Sequence, residues 1–417
     1  MTNHKRYSHQ IENLVEVSDY IHQQFQAQRP VDQTLTRFFR QNKKYGSSDR
    51  RLISNAVFGY YRWYGWLKWL EPARKELALL LGYLLDANQI TDLVEFWRRN
   101  HAVREDCDLR LLEEKGIDTK KKLEIIRQLI PEAEQNQLFP PQARELPPQT
   151  LDILQSRASL WVRLEEGVKE SFLAFLKQNE TQYRLYDSFP EAIEIHSALN
   201  INLVPDYRDH KVEVQDISSQ LVGKITAPSP GEFWVDLCAG SGGKTLHLMS
   251  LMKNQGTIKA LEIRESIFKN LLKRTRKKPS VIEPELWDGA KLPKWDSHPH
   301  GVLVDAPCSC SGTWRRSPDL RWHLSDEKIM AFQKTQLELL EKASSLLGKG
   351  GRLVYATCSF FRQENQDVIQ AFLDKQPEFT LEPIIHPLSR QSLKEGLLIL
   401  PPEINGNAMF TASMIRK

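Results

Sequence analysis

The sequence predicts an α/β chain in three parts: an all-helical N-terminal domain, a small α/β unit, and a C-terminal domain built on a parallel sheet with helices on both faces. Three observations carry this. Residues 1 to about 130 place apolar side chains at helical spacing and show no strong strand alternation. From about residue 160, the short strand-like runs LWVRL, YRLYDSF, IEIH and VEVQ surround one helical segment, KESFLAFLKQ. From residue 216, apolar strands and amphipathic helices alternate, the pattern of a sheet buried on both faces.

In the first part, SSDRRLISNAVFGYYRWYG offers Ser48 as an N-cap, an apolar face of Leu52, Ile53, Ala56, Val57, Tyr60 and Tyr61, and Gly65 as a stop. Further helical patterns run through 72–85, 88–98 and 119–130. Pro131, Pro140, Pro141, Pro147 and Pro148 favour extended backbone and mark a linker. In the last part, FWVDLC, IKALEI, GVLVDAP and GRLVYATCS read as strands. The helices among them are Gly243 to Met252, ESIFKNLLKRTRKK and DEKIMAFQKTQLELLEKASSLL. The expected domains are 1–145, 146–212 and 213–417.

Composition narrows the class. The 417 residues are 41% hydrophobic and 26% charged, with a net charge of +4, as in an ordinary soluble protein. So small an excess of positive charge does not argue for a nucleic-acid partner by itself. The N-terminus has no apolar core of a signal peptide, and the longest apolar run, Leu77 to Leu85, is far short of a membrane span. Five cysteines, Cys107, Cys238, Cys308, Cys310 and Cys358, form no disulfide framework. A cytoplasmic, monomeric protein with free thiols and no membrane segment is expected.

Ligands of such a sheet bind beyond the C-terminal ends of its strands, so those loops hold the chemistry. VDLCAGSGGKT, Val235 to Thr245, ends like a phosphate-binding P-loop, but that motif needs a glycine where Cys238 stands. A carboxylate at the strand end, Asp236, would also repel phosphates. The glycines suit close approach to a nucleoside without phosphates. Glu262, ending the next strand 22 residues after Gly240, stands where an acid commonly grips ribose hydroxyls. NAD fits that geometry too, although G-x-G-G is not its usual pattern. Two more loops, after VLVDAP and after LVYAT, each carry a cysteine just past a strand, Cys308 and Cys358. A zinc site from Cys308, Cys310, Cys358 and His298 or His300 lacks the usual ligand spacing, so no metal is expected.

Four segments together, EVQDISSQLV, DLCAGSGGKT, DAPCSCSGTWRRSPDLRW and ATCSFFRQEN, resemble the Sun/Fmu-type RNA cytosine-carbon-5 methyltransferases in order and spacing. The N-terminal VDQTLTRFFRQNKKYGSSDRRLISNAVFGYYR resembles the helical, NusB-like domain that precedes this core in bacterial small-subunit rRNA members. The resemblance implies a Rossmann-like methyltransferase domain that uses S-adenosylmethionine. It also implies an RNA substrate, rRNA first and tRNA second, with a non-catalytic RNA-binding assembly factor as the alternative.

By that resemblance, Cys238, Ala239, Gly240, Ser241, Gly242, Gly243 and Lys244 lie against the cofactor, Glu262 holds its ribose, and Asp288 approaches its adenine. Asp305 borders both cofactor and target base. Carbon 5 of cytosine is a poor nucleophile until a thiolate adds at carbon 6. The family places that nucleophile on the Thr-Cys-Ser cysteine, here Cys358, and product release on the Pro-Cys cysteine, here Cys308, with Lys244 nearby. Cys310 and Ser311 depart from the residues often seen after Pro-Cys-Ser, and NGNAMF, Asn405 to Phe410, lacks an Asp common there.

Basic clusters at Arg37 to Arg51 and Lys269 to Lys278, with Arg315 and Arg316, are candidate phosphate contacts. The aromatics Phe38, Phe39 and Tyr45 are candidates either for stacking on bases or for the core.

Overall fold

The computed structural model describes residues 2–71, 73–86, 90–100, 109–113, 117–197, 199–276 and 281–417. Cys107, Lys277 and Lys278 lie outside the described residues. The chain forms two compact units, Met1–Arg157 with Trp314–Ser325, and Ala158–Thr313 with Asp326–Lys417.

The first unit is helical: α1 Thr2–Gln26, α2 Val31–Gln41, α3 Ser47–Arg62, α4 Tyr64–Leu67, α5 Lys75–Leu85, α6 Asp92–Asn100, α7 Thr119–Ile126 and α8 Pro148–Leu154. Along α1, Ile11, Leu14, Val17, Ile21 and Phe25 recur every three or four residues, so one face enters the core. Helix α3 is capped by Gly46, not Ser48. Asp49 reaches back to accept the Gly46 backbone N–H at 3.3 Å. The helix ends at Arg62 rather than Gly65, and Gly65 lies inside α4. A Cβ there would sit 1.8 Å from the Gln137 carbonyl oxygen, so the residue is a packing contact and not a stop. Phe39 and Tyr45 are buried and Phe38 packs beside them, so these aromatics belong to the core.

The proline-rich stretch is no free linker. It winds into single turns at Gln135–Leu138 and Pro141–Ala143, and Ala133, Leu138 and Ala143 are buried. The apolar side chains between the prolines hold it down. Trp314–Ser325 also folds with this unit, although in sequence it directly follows the Pro-Cys loop. The buried Arg321 guanidinium lies 4.6 Å from the Phe139 ring centre and donates to Gln155 Oε1 at 2.9 Å. Asp319 Oδ2 accepts the Val31 N–H at the start of α2, at 2.9 Å. Arg315 is buried and donates to the Arg157 carbonyl at 2.7 Å, so its guanidinium is a tie within this unit rather than a surface phosphate contact.

The second unit begins with a four-stranded antiparallel sheet, β1 Leu160–Leu164, β2 Tyr183–Leu185, β3 Ala192–Ile195 and β4 Val212–Val214, in the order β2-β3-β1-β4, with α9 Lys169–Gln178. Helix α10 Ile217–Thr226 leads into the large sheet. This contains β5 Phe233–Asp236, β6 Thr257–Glu262, β7 Ile282–Leu286, β8 Gly301–Asp305, β9 Arg352–Thr357 and β10 Phe379–Glu382. After a short pair, β11 Ile384–Ile385 and β12 Ser392–Leu393, come β13 Leu397–Ile399 and β14 Met409–Arg416. The large sheet runs β10-β14-β9-β8-β5-β6-β7, with β13 pairing β14.

Helices α11 Gly243–Leu251, α12 Glu265–Thr275, α13 Asp326–Leu346, α14 Gln366–Lys375 and α15 Pro401–Ile404 complete the unit. Side chains alternate between faces as strand geometry requires. Val302 and Val304 enter the core under α13 and α14, whereas Leu303 enters the one under α11 and α12. Five strands, β5 to β9, are parallel, as expected. The far edge is antiparallel, because β14 runs back along β9. In β14, residues facing either side are buried, so the alternation that announces a strand is missing from its sequence. From central β5 the chain first builds outward to β6 and β7, then returns to β8 on the other side. Beyond the C-terminal ends of β5 and β8 there is therefore a switch-point crevice.

Candidate active site

At that crevice lies a cavity of about 430 Å³ in the second unit, lined by residues that follow all five parallel strands. They include Cys238, Glu262, Trp287, Asp305, Cys308 and Cys358.

The loop after β5 turns at Gly240 (φ 57°) and Gly242 (φ 88°), both in the left-handed region that favours glycine. Nothing lies within 4 Å of where a Gly240 Cβ would be, so the missing side chain leaves open space at the cavity wall. Of the loop residues named from sequence, Cys238 and Gly240 line the cavity. Ala239, Ser241, Gly242 and Gly243 instead shape the turn. The Ala239 N–H donates to the Leu261 carbonyl at 2.9 Å, and the Gly242 N–H to the Ala239 carbonyl at 2.9 Å. The Ser241 carbonyl accepts from Arg274 Nη1 at 3.0 Å.

The Gly-Lys-Thr ending points inward rather than at a phosphate. Lys244 Nζ pairs with Asp305 Oδ2 at 2.8 Å, and Thr245 Oγ1 donates to Asp236 Oδ2 at 2.7 Å. Asp236 is wholly buried, and burial pushes its carboxyl up to about 7 against the opposing Thr245 bond. Burial also raises Asp305, with Lys244 pulling against it. Burial lowers Lys244, but the Asp305 charge and hydrogen bond outweigh this and hold the ammonium above its ordinary value.

Glu262 ends β6 and meets Arg264 side on, accepting Nε and Nη2 at 2.9 Å each and the Arg264 backbone N–H at 2.8 Å. Burial raises its pKa, yet these bonds outweigh burial and keep it below the usual carboxylate range, so it stays charged. Asp288 is exposed and outside the cavity lining. It spends one oxygen on the Ala290 and Lys291 backbone N–H groups, at 2.8 and 3.1 Å. Its neighbour Trp287 lines the cavity instead, held by an indole N–H bond of 2.7 Å to the Lys291 carbonyl. An aromatic just before that Asp was the available signal.

Two cysteine loops face each other across β8 and β9. Cys308 Sγ and Cys358 Sγ are 3.3 Å apart. Cys310 joins them, and the three sulfurs lie within 4.8 Å of one another. Hydrogen bonds from Cys310 and Cys358, then burial, raise the Cys308 thiol, whereas the bonds to its neighbours lower Cys310. For Cys358 the bond from Cys308 would lower it. The bond with Cys310, burial and the Cys310 charge together win, and it is held above the ordinary thiol range. Lys244 is the nearby positive charge that opposes this rise.

His298 and His300, weighed earlier as metal ligands, lie elsewhere. His298 Nδ1 bonds the Leu346 carbonyl at 2.8 Å, and His300 Nδ1 accepts the Phe233 N–H at 3.0 Å, at the start of β5.

One residue beneath the site was missed. Glu364, wholly buried in the Arg-Gln-Glu-Asn run, accepts the Ser309 N–H at 2.8 Å and hydroxyls from Ser309 and Ser359. It thus fastens the two cysteine loops to each other. Asn405, where the family often has Asp nearby, ties the C-terminal region to the small sheet: its carbonyl accepts the Trp161 indole N–H at 3.2 Å.

Residues 224–415 match the family model described as 16S rRNA methyltransferase RsmB/F. Ribosomal RNA small subunit methyltransferase B of Enterobacter sp. (strain 638) is 31% identical over 265 residues, 63% of this chain and 60% of that relative. The chain thus spans less than two thirds of the length of such curated relatives. Among solved structures, that of PH0851 superposes with a TM-score of 0.72 at 23% identity, covering 93% of this chain and 95% of that one. NSun6 from Pyrococcus horikoshii with SFG superposes at 0.56 and 16% identity, covering 63% and 92%. At these identities the superpositions establish the fold, helical N-terminal part included. Among the described residues, no helix is long and apolar enough to cross a membrane.

Proposed function

We propose that this chain, whose residues 224–415 match the family model described as 16S rRNA methyltransferase RsmB/F, methylates carbon 5 of one cytidine in small-subunit rRNA, with S-adenosylmethionine as methyl donor. The observation that carries the reading is the pair of cysteine sulfurs 3.3 Å apart in the wall of a cavity shared with Asp305 and Glu262.

The residues present suit the cofactor. The open wall at Gly240 admits a nucleoside, the charged Glu262 can accept ribose hydroxyls, and Trp287 offers an apolar flank to a base. When bound, S-adenosylmethionine supplies an electrophilic methyl group on a sulfonium centre. Cys358 Sγ, deprotonated, adds to carbon 6 of the cytosine, so a C–S bond forms and the ring electrons move toward carbon 5. Asp305, carrying a proton that its burial favours, donates it in a hydrogen bond to the ring nitrogen and offsets the negative charge that develops there, while Lys244 Nζ holds the carboxyl group in place. After methylation, Cys308 as thiolate takes the proton from carbon 5, the electrons of that C–H bond re-form the ring double bond, and the C–S bond breaks with Cys358 leaving as a thiolate. The target base must leave any stack to reach the sulfur, which is cheapest in a loop or an assembly intermediate.

The test uses the full chain, labelled S-adenosylmethionine, and separate small-subunit rRNA and tRNA pools, with positions read by bisulfite sequencing. Label at one rRNA cytosine, absent with Cys358→Ser, is expected. Label on tRNA alone, or at no cytosine, overturns the reading.

A further inference from the structure

The mechanism above uses two thiols, but three converge. None of Cys308, Cys310 and Cys358 is in a disulfide, and all three line the same cavity, so small solutes can reach them. A divalent ion bound by thiolates at about 2.3 Å in tetrahedral geometry spaces its sulfurs by about 3.8 Å. The observed sulfurs, one pair at 3.3 Å and all within 4.8 Å, bracket that spacing, and shifts of about an ångström or less bring them onto one ion. By sequence these three cysteines are set aside as ligands because Cys-x-Cys lacks the usual spacing, but the third sulfur arrives from the end of β9 and needs no such spacing.

Cys310 is a second and independent sign. Its backbone has φ 56°, the left-handed region, where a residue with a Cβ is strained and glycine is not. A thiol stands at this strained corner although the proposed methyl transfer gives it no task. The two carboxylates that line the cavity are each already paired, Asp305 with Lys244 and Glu262 with Arg264, so the three sulfurs are the groups left to hold an ion.

We propose that Cys308, Cys310 and Cys358 form a site for one thiophilic divalent cation of the zinc class, bound through three thiolates with a fourth position left to water. Binding releases whatever protons the three sulfurs still carry in exchange for one metal ion and involves no change of oxidation state. Occupancy ties up both cysteines assigned to the chemistry, so the ion reversibly silences the enzyme. That consequence rests on the proposed function; the binding itself does not.

The experiment titrates the full chain, reduced with a phosphine and freed of metal, with cadmium. It follows the ultraviolet sulfur-to-cadmium charge-transfer band, with equilibrium dialysis against zinc alongside. One cadmium per chain with a three-thiolate band is expected. Cys310→Gly, which relieves the strained backbone and keeps the other two sulfurs, should bind about tenfold or more weakly with a band reduced by about a third. Cys310→Ser, which keeps the bulk, should do the same. Zinc should inhibit methyl transfer by the parent chain, reversibly by chelator, at concentrations about tenfold lower than for Cys310→Gly. Equal affinity and equal band intensity in parent and both variants, or no stoichiometric binding in the parent, overturns the proposal. A three-thiolate band in a chain that methylates no RNA would leave the metal site standing and remove the proposed function instead.

Discussion

Lys244 Nζ lies 2.8 Å from Asp305 Oδ2, so the first turn of α11 and the end of β8 are joined by an ion pair at the cavity wall. If Lys244 acts through Asp305, their effects on catalysis do not add. Asp305→Asn should lower kcat by roughly a hundredfold or more, the usual scale for such a group. Lys244→Met should cost less, and the double variant should be no slower than Asp305→Asn. Single-turnover methylation of rRNA measures all three. Additive losses would mean that Lys244 has a separate task.

The sulfur pair Cys308 and Cys358 makes a second prediction, on which thiol attacks. On RNA carrying 5-fluorocytosine, Cys358→Ala should trap no covalent complex, whereas Cys308→Ala should still trap one. On ordinary RNA, Cys308→Ala should stall as the adduct, visible as a slow band on a denaturing gel. The opposite pattern would exchange the two roles.

Which of these features were legible beforehand follows from where their partners lie in the chain. Cys308 and Cys358 could be read because each directly follows a strand-like run, and parallel strands bring their C-terminal ends to one edge. The parallel core was legible for the same reason. The pairing of Lys244 with Asp305 joins residues 61 apart, and nothing local announces it. Trp314–Ser325 shows the limit most clearly. Its Arg315 and Arg316, following the catalytic loop, read as candidate phosphate contacts. In fact Arg315 is buried, and Arg321 is buried among the rings of Phe139, Trp314 and Trp322, a preference visible only once the helical unit's core is known.

Asp236 predicts how stability depends on pH. Its carboxyl titrates near 7 when folded but near 4 in an unfolded chain, because burial dominates over the Thr245 hydrogen bond. Between these values the folded state holds more protons, so stability is greatest near pH 4 and falls as pH rises toward 7, by up to a few kcal/mol from this group. Its charged neighbours Asp305, Glu262 and Lys244 are retained in Asp236→Asn, which should remove this slope from the other groups' background. Urea unfolding at several pH values tests it. An identical slope in both proteins would assign the dependence elsewhere.

Glu364 provides the last prediction, because it stands between structure and chemistry. Two carboxylate oxygens take four donors: the Ser309 N–H, the hydroxyls of Ser309 and Ser359, and Gln336 Nε2 at 3.1 Å. Each cysteine of the pair neighbours one of those serines, so the carboxylate sets the spacing of the loops that carry the sulfurs. Glu364→Gln keeps the volume but turns one acceptor into an amide that faces donors in a buried site. The loss should be about 2–4 kcal/mol, or a drop in Tm of roughly 5–10 °C for a unit of this size. Loosened loops should also slow oxidation of Cys308 and Cys358 to a disulfide by a small disulfide reagent, and lower the yield of the trapped complex with Cys358 itself intact. A variant with parental Tm and parental thiol oxidation rate would show that the loops hold their spacing without this carboxylate.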